Sequence, residues 1–184
     1  MILEIVKYGH PALRTKGARV GDADAKIRRL AADMLETMEA AHGVGLAAQQ
    51  IGVPIQLAVI NVAGIEDRPS TMLVGGRPVS VEQHMPLVLM NPELTLSKER
   101  ESGNEGCLSF PEISAEIVRA VGVRAKAQLL DGSTIEFEAT GLLARALQHE
   151  VDHLHGILFI DRMNSASKVS LAGRLKRLQK ESRG

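Results

Sequence analysis

The sequence predicts an α+β fold, and three observations carry that prediction. Helical spacing of apolar residues dominates the region after residue 24. Short β-branched runs with turn signals between them fill the middle, and helical spacing returns after residue 140. A strand-rich middle with a helix at each end is the pattern of that class.

The first helix is expected from about Asp24 to His42. Ile27, Leu30, Ala31, Met34, Leu35, Met38 and Ala41 recur at three and four, with Arg28, Arg29, Asp33 and Glu36 opposite, an amphipathic pattern. Asp22 or Asp24 can cap its start, and Gly43 stands where a left-handed cap would end it. Ile55 to Val62 and Pro86 to Met90 read as strands from their length and branched residues. Between them, Ala63 to Gln83 carries Gly64, Pro69, Gly75, Gly76 and Pro78 and is expected to be a long surface excursion. Val121 to Leu130 and Ile135 to Thr140 flank Asp131-Gly132, a hairpin signal. Gly141 to Leu154 returns to helical spacing, and Gly156 ends it. Ile157 to Ile160 is expected to be a short buried strand. From Ser167 a last helix is expected, with Val169, Leu171, Leu175 and Leu178 on one side.

Composition narrows the function classes. The chain has 184 residues, of which 45% are hydrophobic and 24% charged, close to the globular average and about one domain in length. The 22 basic residues balance 22 acidic ones, so no global field favours nucleic acid or acidic membranes. No apolar run reaches the ~18–20 residues of a membrane span, and the start shows no secretory pattern. One cysteine excludes an internal disulfide and points to a reducing compartment, the cytoplasm. With Tyr8, Phe110, Phe137 and Phe159 as the aromatic residues, a base-stacking platform is not expected.

Chemistry concentrates in three segments. In His149-Glu150-Val151-Asp152-His153, two histidines at i and i+4 on a helix differ by ~40° around the axis and ~6 Å along it, so both imidazoles can reach one ion. Glu150 then stands beside the site as a proton acceptor. A catalytic centre of this kind needs a third protein ligand and an open position. The extended metallopeptidase motif HExxHxxGxxH is met at Gly156 but fails at Phe159. The downstream acids are Asp161 and Glu181 alone, so the ligand is sought upstream. Cys107, after a glycine and a polar approach (Ser102, Gly103, Asn104, Glu105), is the candidate. A Cys/His/His set with a fourth water is an accepted catalytic arrangement. The third segment, Gly43 to Gln50, supplies glycines for close backbone approach and the Gln50 amide as a donor to an oxyanion.

Together and in this order, Gly43–Gln50 (GxGxAAxQ), Glu105–Ser109 (EGCLS) and Gln148–His153 (QHExxH) resemble the signatures of peptide deformylases. The resemblance runs from Pro11, Leu13 and Arg14 to the helix after His153. It implies a single domain over residues 1–184, with antiparallel sheets packed around a central HExxH helix, an N-terminal amphipathic helix and a basic C-terminal helix over about 165–184. It also implies hydrolytic removal of formyl from the N-terminal methionine of nascent proteins, with formate released. Cys107, His149 and His153 would bind one divalent metal, Fe2+ in the cell, with Zn2+, Ni2+ or Co2+ as substitutes. Glu150 would be general base and acid, with Gln50 and the Leu108 backbone N–H stabilising the oxyanion. Gly45 and neighbouring backbone would hold the peptide as an added strand, and Val44, Leu142 and Ala146 would line the methionine pocket. Glu105 and Arg119 would form a buried ion pair beneath the cysteine loop.

Two departures stand out. Gln49 occupies a position where many relatives have proline, which bears on loop stiffness. Arg145 occupies one where many have an apolar pocket residue; either its stem lines the pocket while its head reaches solvent, or it narrows the pocket. The tail carries Lys168, Arg174, Lys176, Arg177, Lys180 and Arg183 against Glu181. This local asymmetry suits either a solvated helix face or docking of a cytoplasmic, bacterial-type monomer to ribosomal RNA. The rival readings are an HExxH metallopeptidase and a non-catalytic ribosome-binding module.

Overall fold

The computed structural model describes residues 1–183; Gly184, the last residue of the expected tail helix, lies outside the described residues. Helix α1 (Ala25–Ala40) is capped by Asp24, whose carboxylate accepts from the Ile27 N–H at 2.9 Å. Its left-handed terminal residue is His42 (φ 57°), not Gly43. Gly43 instead lies close to the cysteine loop: a Cβ there would lie 2.8 Å from Leu108 Cδ1, and that side chain would have to shift. The buried face of α1 (Ala31, Met34, Met38) packs on Leu46, Leu57, Val59 and Met90.

Seven strands form one antiparallel sheet: β1 (Gly45–Ala47), β2 (Leu57–Ile60), β3 (Ser70–Val74), β4 (Arg77–Pro78), β5 (Leu87–Leu96), β8 (Gly122–Gln128) and β9 (Thr134–Thr140). Their order is β1-β2-β5-β8-β9-β3-β4, which leaves β1 as an edge. Strands β6 (Arg100–Cys107) and β7 (Phe110–Ala120) form a separate two-stranded hairpin. The β8–β9 hairpin turns as its Asp-Gly signal requires, with Gly132 at φ 88° and Asp131 accepting from the Ser133 N–H at 2.9 Å.

Residues 63–83 do more than loop over the surface. Gly75 and Gly76, both at positive φ, turn β3 into β4. β3 then pairs with β9, from Thr71↔Thr140 to Leu73↔Glu138, and buries Met72. Val81–His84 adds one turn of helix, α2. Dense glycine and proline hid a hairpin whose two-residue turn needs φ > 0 at both positions.

Helix α3 (Gly141–Leu154) begins at a position only glycine can fill. Gly141 has φ 71°, and a Cβ would lie 2.0 Å from the Pro69 carbonyl oxygen. The helix lies between the large sheet and the β6–β7 hairpin, touching β1, β2, β3, β9 and β7. It is buried on almost every side, polar residues included. The run 157–160 is not a strand. It ends in a 3-10 turn, Phe159–Arg162, in which Asp161 accepts from the Leu158 N–H at 3.0 Å; a short apolar run is equally at home in a buried turn. Helix α4 (Ser165–Arg183) starts two residues before the expected position, because Asn164 caps it through the Ser167 N–H at 2.8 Å. Leu171, Leu175 and Leu178 pack beside Phe110 and Phe159. Val169 is 79% exposed, since two residues, ~200° of turn, separate it from Leu171. Among the described residues, no helix is long and apolar enough to cross a membrane.

Candidate metal centre and active site

Three elements converge. α3 brings His149, Glu150 and His153; the end of β6 brings Cys107, at the point where its register with β7 breaks; β1 and the 3-10 turn after it bring Gly45 and Gln50. One donor atom each from Cys107, His149 and His153 lie within 4.8 Å of one another. Cys107 Sγ is 3.4 Å from His153 Nε2, and the two imidazole centroids are 5.0 Å apart. One sulfur and two nitrogens so gathered fit a zinc-like or ferrous ion with a position left open. Among the described residues this is the one His/Cys/Asp/Glu group so arranged.

Glu105 organises the group from below. Its Oε1 accepts from Arg119 Nη2 at 2.6 Å and pairs with His149 Nδ1 at 2.7 Å. Its Oε2 accepts from Arg119 Nε at 2.9 Å and Arg145 Nη1 at 3.0 Å. Burial alone would raise its pKa, but the hydrogen bonds and charges of Arg119 and His149 prevail and hold the carboxyl well below its usual range. With Nδ1 committed to Glu105, His149 presents Nε2 to an ion. Arg119 Nη1 continues to Asp152 at 2.7 Å, and Asp152 takes Arg162. The expected Glu105–Arg119 pair is therefore the centre of a longer network. Asp152 and Arg162 were not anticipated, although Asp152 stands one helical turn beyond His149.

Arg145 corrects the sequence reading. It lines the cleft, but its head does not reach solvent. The guanidinium is buried, bonded to Glu105 and to the carbonyls of Ile117 and Glu101 at 3.0 Å each. A buried carboxylate offers a guanidinium more than the rim does. Gln49 is buried as well, with its amide directed to the Thr15 carbonyl at 3.4 Å and away from the cleft.

Glu150 is buried, and its Oε2 has no hydrogen-bond partner. Burial pushes its pKa up to about 7, with the charges of Glu105 and Asp152 adding to that and those of His149 and Arg119 opposing it. Burial and the neighbouring His149 hold His153 well below the ordinary histidine value, whereas Cys107 and Glu105 overcome burial and hold His149 well above it. An ion held at His149 would have to displace that proton. Gln50 is buried, with Oε1 accepting from the Ala47 N–H at 2.9 Å. Its Nε2 is thereby turned towards Cys107 Sγ (3.5 Å) and Ser109 Oγ (3.3 Å).

A cleft of about 270 Å³ opens over these groups, lined by Val44, Gly45, Gln50, Cys107, Leu108, Leu142, Arg145, Ala146, His149 and Glu150. His153 is buried and does not line it. His42, Arg68 and Asn104 also line it; of these the sequence points to Asn104 alone, within the polar approach to Cys107. A larger groove, about 530 Å³, opens across α3 but contains neither the donor set nor Glu150. Gly45 admits the acid: a Cβ there would lie 2.7 Å from Glu150 Oε1. Gly45→Ala is thus expected to displace Glu150 and lower kcat by on the order of 10²-fold, the scale of a ~1 Å misplacement. Metal content, read by elemental analysis, is expected to stay unchanged. Full activity in this variant would show that Glu150 does not need its place against Gly45.

A family model described as polypeptide deformylase matches residues 2–169. The peptide deformylase of Methylacidiphilum infernorum is 46% identical over 180 residues, covering 98% of this chain and 94% of that protein. That of Opitutus terrae is 41% identical over 185 residues, covering 100% and 96%. Among solved structures, Arabidopsis thaliana peptide deformylase 1B in complex with an inhibitor superposes with a TM-score of 0.84. It is 36% identical and is covered at 97% of this chain and 91% of that one. The enzyme from Thermotoga maritima gives 0.76 at 35% identity, covering 89% and 99%.

Proposed function

The chain belongs to the polypeptide deformylase family, and on that premise we propose that Cys107, His149 and His153 hold one divalent metal ion over which Glu150 moves the protons of the reaction. The activity is that of the family: hydrolysis of the formyl group from the N-terminal formyl-methionine of nascent proteins, with release of formate. The observation that carries the residue assignment is the compact Cys/His/His donor set with the unpartnered Glu150 Oε2 beside it in the cleft.

When bound, such an ion acts as a Lewis acid on a carbonyl and on water. Glu150 takes a proton from the water that attacks the formyl carbon, then returns it to the departing amine as the C–N bond breaks. Gln50 Nε2 and the Leu108 N–H receive the oxyanion. The unpaired edge of β1 at Gly45 takes the substrate backbone as an added strand. Val44, Leu142, Ala146 and the Arg145 stem enclose the methionine side chain. Ferrous iron is the ion in the cell, and the same donors accept zinc, nickel or cobalt. Residues 1–184 act as one catalytic domain, a cytoplasmic monomer.

Anaerobic purification followed by metal analysis and a formate assay on a formyl-methionyl peptide tests this directly. One metal per chain and stoichiometric formate are expected; internal cleavage without formate would replace the reading with a peptidase. A thiolate ligand is an oxidation target, and iron beside it invites damage by oxygen or peroxide, so the iron form is expected to lose activity in air much faster than the nickel form. Equal lifetimes would argue that Cys107 is not on the metal, or that iron is not special here.

The tail extends the same reading. Lys168, Arg174, Lys176, Arg177, Lys180 and Arg183 are exposed on α4, while Leu171, Leu175 and Leu178 hold it to the body. This cationic face docks on ribosomal RNA, where the substrate emerges. Reversing Lys176, Arg177 and Lys180 to Glu leaves the leucine packing intact. It is expected to abolish salt-sensitive ribosome binding with hydrolysis of a short formyl peptide unchanged; binding that survives would reduce α4 to a solvated helix.

A further inference from the structure

The donor set is split between two elements that share no strand pairing. His149 and His153 ride on α3, whereas Cys107 ends β6 in a hairpin separate from the seven-stranded sheet. Something must fix the hairpin against the helix, since apolar packing alone tolerates small slips while hydrogen bonds are directional. The contact between them is a polar seam. Arg145, Gln148, His149 and Asp152 stand at i, i+3, i+4 and i+7, one face of α3. Gln148 takes both the N–H and the carbonyl of Ala120 at 3.0 Å, His149 takes Glu105, and Asp152 takes Arg119.

Within this seam Arg145 is placed unlike the others. It bonds both strands of the hairpin: Glu105 and the Glu101 carbonyl on β6, and the Ile117 carbonyl on β7, each at 3.0 Å. Its seat is shaped for it. A Cβ on Gly103 would lie 2.9 Å from Arg145 Cζ and 3.0 Å from Nη2, so the guanidinium rests on the bare backbone of β6.

We propose that Arg145 is a positioning residue that sets the register of the cysteine hairpin against the histidine helix, and so fixes Cys107 Sγ relative to the two imidazoles. The proposal rests on the reading that these three residues hold the metal. Arg145 touches neither metal nor formyl group; it acts through Glu105 and the hairpin backbone.

The Co2+-loaded enzyme tests it, read by the thiolate-to-cobalt charge-transfer band, the d–d bands and a chelator-competition Kd. Arg145→Met is expected to shift and weaken these bands and to raise Kd by roughly tenfold, the lower end of what outer-shell partners of a metal site contribute. Arg145→Lys, which can still reach Glu105 but not both strands, is expected to fall between. Gly103→Ala removes no charge and no ligand, yet is expected to move the bands in the same direction by occupying the guanidinium's seat. Arg162→Met, at the outer end of the seam, is expected to leave them unchanged. If Arg145→Met does not fold by circular dichroism, Arg145→Lys and Gly103→Ala decide the matter. A parent spectrum without a thiolate band removes Cys107 as a ligand and this proposal with it. A parent band that Arg145→Met and Gly103→Ala leave in place, with Kd within twofold, overturns the register proposal alone.

Discussion

Glu150→Gln is expected to lower kcat for formate release by about 10²–10⁴, the usual range for losing a general acid–base group, while metal content stays at the parent level. The amide keeps the carboxylate's shape, so the contact with Gly45 and the burial of the side chain survive. What disappears is the ability to hold a proton between the attacking water and the departing amine. A second consequence separates this from simple damage. In the metal-free chain burial raises the Glu150 pKa to about 7, so folding favours its protonated form, and the cost of burying the charge grows as pH rises from the ordinary 4.5 towards 7 and remains above it. Glu150→Gln escapes that cost. The metal-free variant is expected to melt higher than the metal-free parent above pH 7 and much like it below pH 4.5. Loss of activity with gain of stability is the signature of a strained functional group; parent-like turnover would remove Glu150 from the mechanism.

The sequence displays α1 and α3 because their apolar residues repeat over three or more turns, and it displays the β8–β9 turn because Asp131-Gly132 has specific backbone chemistry. It conceals β6, where Ser102 and Asn104 are exposed and Glu105 turns to the buried polar seam of α3, so both faces are polar and alternation carries no signal. β7 does alternate, with Ile113, Ala115 and Ile117 buried and Ser114 and Glu116 exposed. The same burial misleads at Arg145. An arginine among apolar neighbours suggests a head seeking solvent, and only the fold brings Glu105, forty positions upstream, within its reach. Conversely, the His149 and His153 spacing is local and legible, and Cys107 is legible through the resemblance of its flanking residues. The partner that orients His149 is a long-range product of the fold, and the resemblance supplied it only as a pair with Arg119.

Glu105→Gln is expected to be among the most destabilising single substitutions in the chain. Arg119 and Arg145 have side-chain exposures of 3% and 7%, and four donors converge on the Glu105 carboxylate. Removing its charge leaves two buried guanidinium groups, of which Arg119 keeps Asp152, already shared with Arg162, as a carboxylate partner and Arg145 keeps none. Breaking a buried ion pair on one side typically costs about 3–5 kcal/mol. The lost acceptor for His149 Nδ1–H should also weaken metal binding by roughly 10–100-fold. The pH dependence identifies the charge as the cause. Folding holds the Glu105 pKa far below its ordinary value of 4.5, so its contribution to stability is complete above 4.5, where the unfolded carboxyl is also ionised. It declines as pH falls below 4.5 and is lost once pH passes the depressed folded value. Denaturant unfolding of metal-free parent and variant should therefore show a stability gap that is level from neutral pH to about 5 and narrows in stronger acid. A gap below 1 kcal/mol at pH 7, or one that stays constant down to pH 3, would mean that the four bonds drawn to Glu105 do not carry the site.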